Sequence, residues 1–264
     1  MRILLTNDDG INGHGLKVLE KIAHTLSDDV SLSDDVWIIA PELDQSGSSH
    51  SLSLRDPLRI REISHQKFAI SGTPTDCVLV ACSHLLKDNV PDLILSGINF
   101  GANMAEDVTY SGTIAAAIEG TLLGIRSIAL SINTQHEHPA KWATAEHFGA
   151  DIIKKVMTIP LDKNVLININ FPDTIVSSVK GVRVTTQGHR SGCDNLIACT
   201  DPRGRPYFWI GNAMYRYSPK AHELEPGSDL EAVYSGYISI TPLSLNLTHQ
   251  PTINCMKDAF NVSH

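Results

Sequence analysis

The stretch "RILLTNDDGINGHGLKVLEKIAHTL" (residues 2–26) reads as a buried strand, a polar turn and an amphipathic helix in immediate succession. "RILLT" is a short apolar run of the kind a parallel strand makes when both its faces are covered. From Gly15 to Leu26 apolar residues return at helical spacing. The unit recurs along the first half of the chain. "DVWIIAP" (35–41), "PDLILSG" (91–97) and "SIALSIN" (127–133) are further apolar runs leading into loop-forming residues. Helical spacing marks Pro74–Leu86, Thr113–Leu123 and Ala140–Met157. Alternation of this kind predicts an α/β fold with an open, doubly wound and mostly parallel sheet.

After "VLININFP" (165–172) the pattern changes. "GVRVTTQGHR" (181–190) and "RPYFWIGN" (205–212) alternate like antiparallel strands, with a Gly/Asp/Pro-rich stretch between them, and predict a protruding hairpin or arm. "GYISITPLSLNL" (236–247) is a late strand that returns to the sheet or reaches into a neighbouring subunit. The near repeat "SDDV" at residues 27–30 and 33–36 lengthens a solvated connection. One unit of 264 residues is expected, with a catalytic core at about 1–180 and a hairpin and C-terminal extension at 181–264.

Composition narrows the function. Of the residues, 42% are hydrophobic and 19% charged, as in ordinary globular proteins. The net charge is -8 and no Lys/Arg run is long enough to track a nucleic-acid backbone, so polymeric DNA or RNA is not an expected partner. No stretch approaches the roughly 20 apolar residues of a membrane span. Five cysteines without CxxC spacing indicate neither a disulfide framework nor a zinc site. A cytoplasmic protein is expected.

In open α/β sheets ligands bind outside the carboxyl ends of the strands. There the first strand ends in Thr6-Asn7-Asp8-Asp9-Gly10, the second runs into a loop containing Gln45-Ser46-Gly47-Ser48, and a third ends in Ser96-Gly97-Ile98-Asn99. Two adjacent carboxylates repel unless a cation lies beside them, and hard oxygen ligands suit Mg or Mn. A Ser hydroxyl and an Asn amide oxygen complete such a site. The competing reading of Asp-Asp-Gly is a plain turn. Ser111-Gly112-Thr113 precedes an Ala-rich helical pattern and offers an anion its hydroxyls and free N–H groups, or is simply an N-cap. "SGTPTDCV" (71–78) reads as a capped helix start, with Pro74 in the first turn. A phosphate ester needs its barrier lowered by well over about 20 kcal/mol, whereas a helix N-terminus offers roughly 0.3–2 kcal/mol. A metal must therefore carry much of the task.

Other motifs fail on spacing. There is no Walker A sequence, and "GINGHG" has its glycines misplaced for a dinucleotide fingerprint. Gly10 stands where a haloacid-dehalogenase-type phosphatase would have its second Asp. His136, His138 and His147 lack HExxH spacing and are assigned to a loop and an exposed helix face.

The ordered set "MRILLTNDDG", "QSGSSHSLSL", "GTPTDCV", "SGINFGANMAEDVTYSGTIAAAIEG", "DPRGRPYFWIG" and "GYISITPL" resembles the SurE family of 5'/3'-nucleotidases over nearly the whole chain. The resemblance implies a Rossmann-like core and one divalent cation (Mg or Mn) per subunit, held by Asp8, Asp9, Ser46 and Asn99. Asp8 and Asp9 then have the catalytic role. It further implies that Asn99, Asn103, Ser111, Gly112 and Thr113 surround the phosphate of a nucleoside monophosphate. A homo-oligomer, dimer or tetramer, with C-terminal exchange is also implied. His14 departs from the usual family residue, with either a solvent-facing loop position or an influence on the metal. Tyr110 is read as stacking on a base or packing in the core. Runner-up functions are an exopolyphosphatase or broad phosphatase and, from another class, a non-catalytic nucleotide or metal sensor.

Overall fold

The computed structural model describes residues 1–27, 35–134, 139–190, 196–210 and 224–260. Most of the "SDDV" repeat, His136, His138 and Cys193 lie outside them. The elements are β1 (Ile3–Thr6), α1 (His14–Ser27), β2 (Val36–Pro41), β3 (Ile60–Ser64), β4 (Lys67–Ile70), α2 (Pro74–Val80), β5 (Leu93–Phe100), α3 (Gly112–Leu122), β6 (Arg126–Ile132), α4 (Trp142–Thr158), β7 (Val165–Phe171), β8 (Val182–Val184), β9 (Leu196–Thr200), β10 (Pro206–Ile210), α5 (Asp229–Tyr234), β11 (Ile238–Ser244) and α6 (Gln250–Ala259).

The main sheet runs β3-β4-β2-β1-β5-β6-β7-β11-β8. From β4 to β7 every neighbouring pair is parallel. Strand β11 then runs antiparallel to β7, and β3 antiparallel to β4. The predicted doubly wound sheet is thus present, with its four predicted strands and four predicted helices in place.

Alternation within β1 shows how the layers are specified. Ile3 and Leu5 pack with Leu16, Leu19, Ile22 and Ile153 of α1 and α4 on one face. Leu4 packs with Ile39, Cys77, Val78 and Ala116 beneath α2 and α3 on the other. Successive side chains point to opposite faces, so a strand buried on both needs an unbroken apolar run. Gly15 sets how closely α1 approaches the sheet, since a Cβ there would lie 1.8 Å from the carbonyl oxygen of Ile98.

The expected hairpin exists and contains the predicted "PYFWI" strand, but the partner of that strand is not the one predicted. It is formed by β9 and β10, with Tyr207 opposite Cys199 and Trp209 opposite Ile197. "GVRV" instead lies at the edge of the main sheet as β8, parallel to β11. There the Thr185 hydroxyl is 2.7 Å from both Ser239 and Thr241 hydroxyls, and Arg183 pairs with Glu231 at 2.7 Å. Alternating hydrophobicity reports that a strand has two unlike faces; it does not report which strand pairs with it. The late strand β11 returns to the sheet of its own chain. The β3–β4 hairpin and helices α5 and α6 went unread in the sequence.

Candidate active site

Strand β1 lies between β2 and β5, and the chain moves from β1 to β2 on one side and later to β5 on the other. This reversal of strand order opens a crevice at the carboxyl ends of β1 and β5. Asp8 and Asp9 stand at the end of β1 and Asn99 near the end of β5. Ser46 belongs to the loop after β2, whose Gln45 N–H donates to the Asp8 carbonyl at 2.8 Å.

The two carboxylates diverge. Asp8 is 3% exposed and turns toward α3, where its Oδ1 accepts the Thr113 hydroxyl. Gly112 makes this approach possible, because a Cβ there would meet Asp8 Cβ at 2.8 Å and Asp8 Oδ2 at 3.0 Å. Asp9 turns the other way, and its Oδ2 accepts the Phe100 N–H at 3.3 Å. Burial raises the Asp8 carboxyl above its ordinary range, opposed by the Thr113 hydroxyl. Burial and then the charge of Asp8 push Asp9 up to about 6. Asp44 adds a third negative charge that disfavours ionisation of both. No Lys, Arg or His forms an ion pair with Asp8 or Asp9 among the described residues.

Ser46 is exposed and held by Asp44 Oδ1, which accepts both its N–H at 2.8 Å and its hydroxyl at 2.6 Å. The Asn99 amide nitrogen donates to the Gly101 carbonyl at 2.7 Å, so the amide oxygen is the atom offered to a cation. The loop beyond Ser46 is pinned across the site. Ser49 N–H reaches the Tyr110 carbonyl at 3.1 Å, His50 Nε2 lies 2.8 Å from Glu119, and the Ser53 hydroxyl donates to Asp76 at 2.7 Å.

Ser111 caps α3, its hydroxyl oxygen accepting the Ile114 N–H at 3.1 Å. That bond leaves the hydroxyl proton available beside the unpaired N–H groups of the first turn. Asn103 is buried and braced by the neighbouring strands. Its amide nitrogen donates to Ser131 at 2.8 Å, its N–H to Asn170 Oδ1 at 2.9 Å, and its carbonyl accepts from Asn168 at 2.8 Å. One N–H of its amide remains for an anion.

Some supporting residues went unread in the sequence. Asp44 orients Ser46, and Asn168 and Asn170 position Asn103. A signal existed for the latter pair: two buried asparagines in an otherwise apolar strand need partners. Asp229 is fully buried and accepts N–H groups of Ala105 at 3.0 Å, Gly188 at 2.9 Å and Leu230 at 2.7 Å, fixing the loop that follows Asn103. Tyr110 is 57% exposed, so it is not core. His14 is the exposed first residue of α1, not part of a loop, and His147 is exposed on α4 as expected.

The pattern of the family described as survival protein SurE matches residues 3–194. A 5'-nucleotidase SurE of Paramagnetospirillum magneticum is 51% identical, over 98% of this chain and 96% of that protein. One of Parvibaculum lavamentivorans is 53% identical, over 98% and 91%. The crystal structure of the SurE protein from Aquifex aeolicus superposes with a TM-score of 0.79 at 34% identity, covering 98% of this chain and 99% of that one.

Proposed function

Because this chain belongs to the survival protein SurE family, we propose that it is a 5'-nucleotidase whose Asp8, Asp9, Ser46 and Asn99 hold one divalent cation, Mg or Mn. The observation that carries this is the pair of carboxylates at the end of β1, destabilised by burial and by each other and without an ion pair among the described residues. Their donor set is all oxygen, which fits a hard cation and explains why no cluster of three or more His, Cys, Asp or Glu is needed to form it.

When bound, such a cation neutralises phosphate oxygens and makes hydroxide accessible near neutral pH. The chain's own groups do the rest. The Thr113 hydroxyl favours the ionised form of Asp8 against the effect of burial, and the Phe100 N–H does the same for Asp9. Ser111 and the first N–H groups of α3 donate to phosphate oxygens, with the second amide N–H of Asn103 behind them. Asp9 orients the attacking water, whose oxygen bonds to phosphorus as the ester oxygen leaves in line and takes up the proton. These groups address only the phosphate, so we extend the reading to nucleoside 3'-monophosphates as well as 5'.

The test is phosphate release from AMP, GMP, their 3' isomers and short polyphosphate with Mg or Mn, beside EDTA-treated protein and Asp8→Asn. Metal-dependent release that falls by orders of magnitude in the variant supports the reading. Full activity of the variant overturns the site, and saturable nucleotide binding without turnover would make the protein a sensor. Preferred release from polyphosphate would make it an exopolyphosphatase, and a trapped phospho-aspartate would replace the water attack.

A homo-oligomer with exchange of C-terminal segments belongs to the same proposal. A two-stranded hairpin is marginal in water by itself, yet β10 exposes Phe208 (63%), Trp209 (62%) and Ile210 (89%). Beyond β11, Leu247 and Phe260 are similarly bare. Sedimentation of the native chain and of Trp209→Glu checks this; equal masses at monomer weight overturn it. A cytoplasmic location is supported by the free thiols of Cys77, Cys82, Cys199 and Cys255. No helix among the described residues is long and apolar enough to cross a membrane.

A further inference from the structure

We infer that Phe100, Trp142 and His14 form an aromatic shelf that receives the nucleobase of the substrate, an inference that rests on the nucleotidase reading. Phe100 directly follows Asn99, and its N–H is the group bound to Asp9. Phe100 is 39% exposed, and its ring centroid lies 6.2 Å from that of Trp142 at an interplanar angle of 38°. Trp142 begins α4 and lies 5.2 Å from His14, which begins α1, at 42°.

Three observations make this a shelf rather than scattered rings. Helices α1 and α4 pack on each other against one face of the sheet, so their first residues meet at the carboxyl edge beside Asp9. The tilts of 38° and 42° curve the surface instead of closing it into a stack. Trp142 is partly buried against the core, which fixes the platform before a ligand arrives.

The placement suits a nucleotide. Asp8 faces α3 and the anion-binding groups, whereas Asp9 is bonded to the backbone N–H of Phe100, so a phosphate at the carboxylates leaves its base one ribose away on the aromatic side. Every base presents a π-face, so stacking favours nucleotides over small phosphate esters without selecting strongly among bases. His14, unexplained by the metal site, acquires a role at the outer end of the shelf. Tyr110 is the competing platform, exposed on the α3 side next to Ser111.

The experiment compares KM for AMP and for ribose 5-phosphate in the metal-loaded, full-length native protein and in Phe100→Ala, Phe100→Tyr and Tyr110→Ala. Loss of one stacked base predicts that Phe100→Ala raises the ratio of the two KM values by about tenfold, with Phe100→Tyr restoring it. Tyr110→Ala leaves the ratio as in the native protein. A second arm measures adenosine binding to the metal-free protein by calorimetry, where Phe100→Ala and Trp142→Ala should each weaken it. Equal rises in both KM values, or a ratio that responds to Tyr110→Ala instead, overturn the shelf, as does adenosine binding indifferent to both ring deletions. If the native protein releases phosphate from neither compound, the nucleotidase reading fails, and the adenosine arm alone decides the shelf.

Discussion

Replacing Thr113 with Val keeps the shape of a fully buried side chain and removes only the hydroxyl that donates to Asp8. The Asp8 carboxyl is already raised by burial, and the Thr113 hydroxyl is the largest influence opposing that rise. A hydrogen bond to a buried charge contributes about 1.5–3 kcal/mol. Its loss favours the protonated form, which must shed its proton before it can bind a cation. At about 1.4 kcal/mol per decade, apparent metal affinity at neutral pH should fall by roughly ten- to hundredfold. The deficit should shrink as pH rises, because hydroxide removes the competing proton. Calorimetric titration of Mn into the native protein, Thr113→Val and Thr113→Ser at several pH values checks this, the Ser variant staying near native. Native affinity for Thr113→Val across the series would refute both the role of the hydroxyl and the place of Asp8 among the ligands.

Gly112→Ala places a methyl 2.8 Å from Asp8 Cβ and 3.0 Å from Pro74 Cγ, so it should displace Asp8, cost about 1–3 kcal/mol in a urea melt and weaken metal binding in calorimetry. Asp9 is raised from 3.8 to about 6. The native metal-free protein therefore holds a proton that the unfolded chain has released, and Asp9 favours folding below about pH 4 by up to about 3 kcal/mol, a contribution lost as pH rises through about 6. Because Asp107 is raised to about 6 as well, urea midpoints at pH 4.5 and 7 without metal isolate that difference only when the native protein is compared with Asp9→Asn, and metal affinity should decline below pH 6 as protons compete. Asp229→Ala strands three backbone N–H groups and should lower stability by about 3 kcal/mol or more. Denaturant melts that match the native protein would show that the loop after Asn103 is held some other way.

Much of the α/β frame was legible because burial on both faces demands continuous apolar runs, and β1, β2, β5 and β6 all have them. The short β3–β4 hairpin was not. All five residues of Ile60–Ser64 are exposed, so no apolar run marked the strand. The strand partners of "GVRV" were hidden for a different reason: pairing is decided by the hydroxyls of Ser239 and Thr241 and by Glu231, residues about 50 positions away.

The candidate site divides along the same line. Local chemistry singled out Asp8, Asp9, Asn99 and Ser111-Gly112-Thr113, because adjacent carboxylates, a strand-end amide and a helix start carry their meaning within a few residues; the choice of Ser46 over Ser48 came from the family resemblance. Only the folded chain decided that Thr113 serves Asp8, that Asp44 orients Ser46, and that Asn168 and Asn170 hold Asn103. It likewise brought His14, Phe100 and Trp142 to one edge. Residue type and spacing along the chain determine what a segment can form and which atoms it can offer. Which of those atoms meet is a property of distances between segments remote in sequence, set by how the layers pack on the sheet.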